Sequence, residues 1–125
     1  MKPLRHARLW LLLWVIGIGA TIISCMVPAS VLPETPAGGD KLEHWLVYAV
    51  LGTAAVQLFG RPRALMISAV GLLALGIAIE FAQALLTTTR SGDVWDAAAD
   101  ALGILCGMAA VLTPWRDLLL RFDRA

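Results

Sequence analysis

The stretch that decides the fold runs from Leu9 to Val27 and reads LWLLLWVIGIGATIISCMV. No charged residue occurs between Arg8 and Glu34, so the whole stretch is uncharged. A helix of about 20 apolar residues is long enough to cross the hydrocarbon core of a bilayer. Pro28 and Pro33 follow, and proline ends a helix. The stretch therefore predicts a transmembrane helix.

The rest of the 125-residue chain is almost as apolar. Hydrophobic residues make up 59% of it and charged residues 15%, and the mean hydropathy is +0.78. This composition excludes a water-soluble domain and a disordered chain. A net charge of +1 without a continuous basic patch excludes nucleic acid as a partner. Cys25 and Cys106 are too few for a disulfide framework, and both lie in apolar runs, so we expect both to be buried.

Three further apolar runs follow the first. With their flanking residues, the four runs predict transmembrane helices over approximately 9–27, 43–60, 64–86 and 95–113. Four such runs leave no polar face with which to cover a water-soluble core. The predicted fold is all-α, a membrane-embedded antiparallel four-helix bundle in which residues 1–125 form a single domain.

The distribution of positive charge predicts the orientation of this bundle. Eight of the ten basic residues lie before the first run, between the second and third, or after the fourth, namely Lys2, Arg5, Arg8, Arg61, Arg63, Arg116, Arg121 and Arg124. The positive-inside rule therefore places both termini in the cytoplasm. Residues 22–25, with the sequence Ile-Ile-Ser-Cys, loosely resemble a lipoprotein cleavage box that would make Cys25 a lipidated N-terminus. The length of the first run favours a retained helix instead.

Polar residues gather near the ends of the helices that point away from the termini. At about 100° per residue, the members on each helix share one face. They are Asp40, Lys41, His44 and Tyr48 on the second helix, Glu80 and Gln83 on the third, and Asp93, Asp96 and Asp100 on the fourth. Their depths along the helices agree, so we expect them to meet in one extracytoplasmic pocket. Gly103 and Gly107 continue the stripe on the fourth helix and predict close helix packing.

Ionisable groups inside apolar spans are costly and usually functional. The alternative is a structural role. Lys41 and Arg90 would then neutralise the acids, while His44, Tyr48 and Gln83 would join the helices by hydrogen bonds.

Three pieces of the sequence together resemble one family. They are Asp40-Lys41-x-x-His44, Glu80-x-x-Gln83 and Arg90-Ser-Gly-Asp93-x-x-Asp96-x-x-x-Asp100-x-x-Gly103-x-x-x-Gly107. In this order and on consecutive helices, they resemble the VanZ-like family of small bacterial membrane proteins, over residues 40–107. The resemblance implies a multi-pass protein of the bacterial inner membrane. Asp100 departs from the family, which usually carries asparagine there, and this changes the charge of the site.

The VanZ-like family is named for a member associated with low-level resistance to the glycopeptide antibiotic teicoplanin. The resemblance therefore implies a link to antibiotic resistance and to the cell envelope. The partners it suggests are membrane lipids and a lipid-linked envelope precursor.

The leading functional prediction is a site that binds or modifies an anionic, lipid-linked cell-envelope component. Lys41 and Arg90 are the predicted anion-binding residues. The other predicted ligand-binding residues are Gln83, Tyr48, Asp40 and Asp93. The predicted catalytic, acid–base residues are His44, Glu80, Asp96 and Asp100. These acids repel one another in a low dielectric, so we expect at least one of them to be protonated or paired with His44.

Two alternatives stay open. One is a membrane-embedded hydrolase in which His44 or Glu80 activates water, with or without a divalent metal ion. The sequence has no ligand spacing as specific as His-Glu-x-x-His, so the metal and any cofactor are undetermined. The other alternative is a structural or assembly partner without catalysis. Whether the protein is an enzyme also stays open. Homo-oligomerisation stays open as well, since the first helix suits packing, lipid contact or an oligomer interface equally.

Overall fold

The computed structural model describes residues 1–27, 38–87 and 92–124. Within these ranges the chain is helical and contains no strand, which confirms the all-α prediction. The α-helices are α1 (Ala7–Met26), α2 (Gly39–Leu58), α3 (Pro62–Leu86), α4 (Val94–Met108) and α5 (Leu118–Arg124). Two short 3₁₀ helices, Ala109–Leu112 and Pro114–Asp117, connect α4 to α5. Helices α1 to α4 each overlap one of the four predicted spans, with ends that differ from the predicted ones by up to five residues.

Local sequence explains where the helices begin. Gly38 precedes α2 with a φ of 81°, a left-handed conformation that favours glycine. Pro62 occupies the start of α3, where its missing backbone N–H is not needed. Asp93 caps α4, because its carboxylate accepts a 2.8 Å hydrogen bond from the backbone N–H of Trp95.

Three helical segments are long and apolar enough to cross a membrane. They are α1, α3 and the continuous stretch Val94–Leu112. By length and composition they agree with three of the four predicted spans. Helix α2 is not among them, because its first two turns carry Asp40, Lys41, Glu43 and His44, and these polar residues lower its hydropathy.

Helices α2 and α4 pack closely along a seam of glycines. A Cβ atom on Gly103 would collide with the carbonyl oxygen of Trp45, and one on Gly107 would lie 2.7 Å from the backbone nitrogen of Thr53. Opposite them, a Cβ atom on Gly52 would lie 3.2 Å from the carbonyl oxygen of Ile104. The prediction that the glycines of α4 serve close packing is therefore confirmed.

A small apolar core joins the other helices to this pair. Tyr48, Leu51, Leu72 and Ile104 are buried together and come from α2, α3 and α4. Trp14 connects α1 to the core, since its indole N–H donates a 3.0 Å hydrogen bond to the carbonyl oxygen of Leu51.

The two terminal segments of the chain meet at one end of the molecule. The ammonium group of Lys2 lies 2.9 Å from the carboxylate of Asp117. In α5, the buried carboxylate of Asp123 accepts hydrogen bonds from the backbone and ring of His6 and from the indole of Trp10. The N-terminal end of α2, with its polar residues, lies at the opposite end.

Two features differ from the sequence-based expectations. Cys106 is exposed and Cys25 is half-buried, so the prediction that both are buried is wrong. Helix α4 turns its glycine-bearing side inward, which leaves Cys106 on its outward side. The seven-residue helix α5 was not predicted, because a segment this short carries no recognisable apolar period.

Candidate functional site

Polar side chains from α2, α3 and α4 meet at the end of the helices that points away from the termini. We refer to the group as the polar cluster, and its members are Lys41, His44, Tyr48, Glu80, Asp93, Asp96 and Asp100. Every member belongs to the set predicted from the sequence. The predicted convergence of three helix faces is therefore present.

Lys41 forms the outer part of the polar cluster. Its ammonium nitrogen lies 3.2 Å from Asp40, 2.9 Å from Asp93 and 3.1 Å from Asp96. An ammonium group has three hydrogens to donate, so these carboxylates occupy all of them. The hydrogen bond from Lys41 lowers the pKa of Asp93. The prediction that Lys41 holds an anion stays a prediction, and in this arrangement its charge is already matched by acids.

His44 and Asp100 form the buried inner pair of the polar cluster. Nδ1 of His44 lies 2.9 Å from Oδ1 of Asp100, whose side chain is 1% exposed. Oδ2 of Asp100 and the hydroxyl of Tyr48 are both buried and have no hydrogen-bond partner among the described residues. Both atoms face Gly76 of α3, where a Cβ atom would collide with Oδ2 of Asp100. Glycine at this position therefore lets α3 approach the pair.

Glu80 connects α3 to the start of α4. Its Oε2 atom accepts a 2.8 Å hydrogen bond from the backbone N–H of Asp93, which fixes the orientation of the carboxylate. Its Oε1 atom is buried and has no partner in the described part of the chain. Gly92 passes close to the same turn of α3, because a Cβ atom there would lie 2.6 Å from the carbonyl oxygen of Glu80.

Three side chains of the polar cluster are close enough to share one ligand. One potential ligand atom from each of His44, Glu80 and Asp96 lies within 4.8 Å of the other two. Glu80 and Asp96 are buried, and the side chain of His44 is 10% exposed. Two carboxylates and an imidazole in this setting are suited to proton transfer or to holding a cation.

Three predicted ligand-binding residues stand apart from this group. Gln83 is buried, and its amide donates a 2.9 Å hydrogen bond to the carbonyl oxygen of Cys25, so it joins α3 to α1. Asp40 is exposed and contacts the polar cluster through Lys41 alone. Arg90 lies outside the described residues.

A cleft of about 290 Å³ between α1 and α2 reaches the polar cluster. Helix α1 lines it with Thr21, Ser24 and Cys25, and α2 lines it with Glu43, His44 and Tyr48. The contribution of α1 and of Glu43 was not predicted. Gly17, Thr21 and Ser24 are spaced by four and three residues, which places small and polar groups on one helix face, and this signal was present in the sequence.

Comparison of the chain with family models, curated proteins and solved structures finds no match. The VanZ-like resemblance therefore depends on the residues quoted from the sequence alone.

Proposed function

We propose that the chain is a VanZ-like protein of the bacterial inner membrane that binds and modifies the head group of an anionic, lipid-linked cell-envelope component. Binding takes place at the polar cluster, and the modification is acid–base chemistry by His44 and Glu80. The observation that carries this proposal is the environment of Glu80. Its Oε1 atom is buried without a partner among the described residues, and one of its carboxylate oxygens lies within 4.8 Å of ligand atoms of His44 and Asp96.

The proposal places α1 to α4 across the membrane as an antiparallel four-helix bundle. Helix α2 has 20 residues, which is long enough to span a bilayer core. Its large outward side chains, Leu42, Leu46 and Val50, are exposed, as lipid-facing residues are. The polar residues that lower its hydropathy point instead toward α4 or lie in the first turns, where they reach the membrane surface.

The proposed orientation places the polar cluster on the extracytoplasmic side. Both terminal segments lie at the opposite end of the molecule, and most basic residues are in or near them. Basic residues favour the cytoplasmic side of a membrane protein. A head group in the outer leaflet would therefore reach the cleft between α1 and α2 from the lipid.

The acid–base roles follow from which atoms are already engaged. Asp100 holds Nδ1 of His44 at 2.9 Å, which leaves Nε2 for proton transfer. For a hydrolysis, one of His44 and Glu80 takes a proton from water as the water oxygen bonds to the head-group centre. The other, protonated at the start, donates its proton to the leaving oxygen as the bond between this oxygen and the head-group centre breaks. Lys41 holds Asp93 and Asp96 in place through hydrogen bonds, which makes it a positioning residue.

The proposal is tested with the full chain in vesicles of phosphatidylglycerol that contain a lipid-linked cell-wall precursor. Mass spectrometry of the extracted lipids measures conversion of the precursor. We expect Glu80→Gln and His44→Gln to lower the rate by about 10²- to 10⁴-fold, as the loss of a general acid or base does. Asp117→Asn is the matched control, because it neutralises an acid at the opposite end of the molecule and retains the wild-type rate.

Two results would contradict this function. Conversion by Glu80→Gln at the wild-type rate would exclude Glu80 as an acid or base. Equal binding without any conversion, in wild type and variants alike, would instead favour the structural or assembly role. The link to teicoplanin resistance is carried by the resemblance alone and stays a prediction of it.

A further inference from the structure

We infer that the polar cluster binds one divalent metal ion, with His44, Glu80 and Asp96 as its protein ligands. This inference rests on the proposed function, because it names the cofactor of the same site. With the ion bound, His44 and Glu80 would act as its ligands, and the ion would activate the water in place of direct proton transfer by these two side chains.

The first support is the geometry of the three side chains. One ligand atom from each lies within 4.8 Å of the other two. Nitrogen and oxygen ligands lie about 2.0–2.2 Å from a zinc ion, so two ligands of one ion are at most about 4.4 Å apart. The 4.8 Å bound on the separations of the three atoms exceeds this limit by about 0.4 Å.

The second support is independent of the clustering of acids. Oε1 of Glu80 is buried without a partner among the described residues, and the residue as a whole is only 8% exposed. Its Oε2 atom accepts a hydrogen bond from the backbone N–H of Asp93, which fixes the carboxylate and leaves Oε1 without a hydrogen-bond partner among the described residues. A buried carboxylate oxygen without a partner is unfavourable, and a metal ion at this position supplies the missing interaction.

The third support is the hydrogen bonding behind the ligands. A histidine that binds a metal usually donates its other ring N–H to a carboxylate or carbonyl, which fixes the ring orientation. Nδ1 of His44 has this partner in Asp100, at 2.9 Å. Asp96 is likewise held, since its Oδ1 atom accepts a 3.1 Å hydrogen bond from Lys41.

The charges of the site give the metal a function. The polar cluster and Asp40 contain five carboxyl groups but one ammonium group, and Lys41 is already surrounded by three of the acids. An anionic head group is repelled by such a site. A divalent ion between the acids and the head group reverses that repulsion, and when bound it also activates water as a nucleophile. One imidazole and two carboxylates suit Zn²⁺ or Mn²⁺.

The test measures metal directly, without any substrate. The full chain is purified in detergent without chelators, and its metal content is determined by plasma mass spectrometry. After removal of metal with EDTA, Zn²⁺ and Mn²⁺ are titrated separately by calorimetry, and thermal unfolding is followed with and without each ion. We expect about one equivalent per chain and a higher Tm with the bound ion.

Two variants and a control make the test specific. Glu80→Gln and Asp96→Asn should each weaken binding at least about tenfold, since even residues behind the ligands change metal affinity by about 10- to 100-fold. Asp117→Asn should bind as wild type. Gel filtration and circular dichroism verify that each variant is folded, and either folded variant is sufficient for the comparison.

The inference is overturned if neither ion binds the stripped protein or raises its Tm, or if a folded Glu80→Gln variant binds as tightly as wild type. Precursor conversion that persists in EDTA also overturns it, yet leaves the acid–base function intact. Stoichiometric metal binding without conversion of the precursor would support the metal site and contradict the proposed function.

Discussion

Tyr48 presents the clearest conflict between burial and hydrogen bonding at the scale of a single residue. Its side chain is buried in the core between α2, α3 and α4, yet its hydroxyl has no partner among the described residues. A buried hydroxyl without a hydrogen bond is unfavourable by about 1–3 kcal/mol. The site therefore explains why this residue is a tyrosine. Its hydroxyl and Oδ2 of Asp100 both face Gly76 of α3.

We predict that Tyr48→Phe separates stability from function. The free energy of unfolding in detergent should stay constant or rise by up to about 1–3 kcal/mol, because an unpaired polar group is removed. Precursor conversion should fall, because a hydroxyl donor at the site is lost. Thermal unfolding and the conversion assay in vesicles measure the two effects.

Tyr48→Ala is the control for this comparison. Removing the whole buried ring should lower the free energy of unfolding by about 3–5 kcal/mol, which shows that the assay detects losses at this position. A Tyr48→Phe variant that is less stable than wild type by more than about 1 kcal/mol would mean that the hydroxyl has a partner in the folded protein.

Much of the polar cluster was predictable from residue spacing. Asp96 and Asp100 are four residues apart, as are His44 and Tyr48, so each pair shares a helix face and both faces turned out to be inward. The partner of each side chain was not predictable. The hydrogen bond from Gln83 to the backbone of Cys25 depends on how α1 and α3 are placed, and no periodicity within one helix encodes that.

At the scale of secondary-structure elements, the glycine seam between α2 and α4 holds the site together. Lys41 and His44 of α2 contact Asp96 and Asp100 of α4, and these contacts require the two helix backbones to be close. Deeper along the same pair, Gly107 provides that proximity. Packing in the apolar part of the pair therefore determines the distances in the polar part.

We predict opposite effects for two Gly→Ala changes. Gly107→Ala should lower the free energy of unfolding by about 1–3 kcal/mol, because the added methyl group meets the backbone of α2. Gly71→Ala, on an open face of α3 with nothing within 4 Å, should be neutral or raise it by up to about 1 kcal/mol through helix propensity. Thermal unfolding in detergent compares the two, and equal effects would mean that the seam is not tightly packed.

The helices themselves were more predictable than their ends. Apolar length predicted both ends of α1 and α3 within two residues, since a long and mostly apolar run favours a helix throughout. Helix α2 begins at Gly39, four residues before the predicted span, because a predicted span stops at the charges whereas the helix continues into them. Helix α4 changes to 3₁₀ geometry after Met108, which the apolar pattern does not reveal.

At the scale of the whole molecule, contacts between the terminal segments close the end that lies away from the polar cluster. Lys2 contacts Asp117, while His6 and Trp10 contact Asp123. The residues that form these contacts are more than a hundred positions apart in the chain, so sequence periodicity does not predict the contacts. The hydrogen bonds that Asp123 accepts from His6 and Trp10 keep α1 joined to the end of the chain, and α1 forms one wall of the cleft.

We predict that this closure depends on pH through Asp123. Burial alone would raise the pKa of its carboxyl, but hydrogen bonds from Trp10 and His6 outweigh this effect and lower the pKa from 3.8 to about 2. An acid with a lowered pKa stabilises the folded state above its unfolded pKa and loses this effect as the pH falls to the folded value. Asp123→Asn should therefore be less stable than wild type at pH 7, and the difference should shrink between pH 3.8 and about 2. Thermal unfolding in detergent across this range measures the difference.

Arg124→Gln, a change at the exposed neighbour, should match wild type throughout. A difference for Asp123→Asn that stays constant down to about pH 2 would mean that the charge of Asp123 does not hold the ends together.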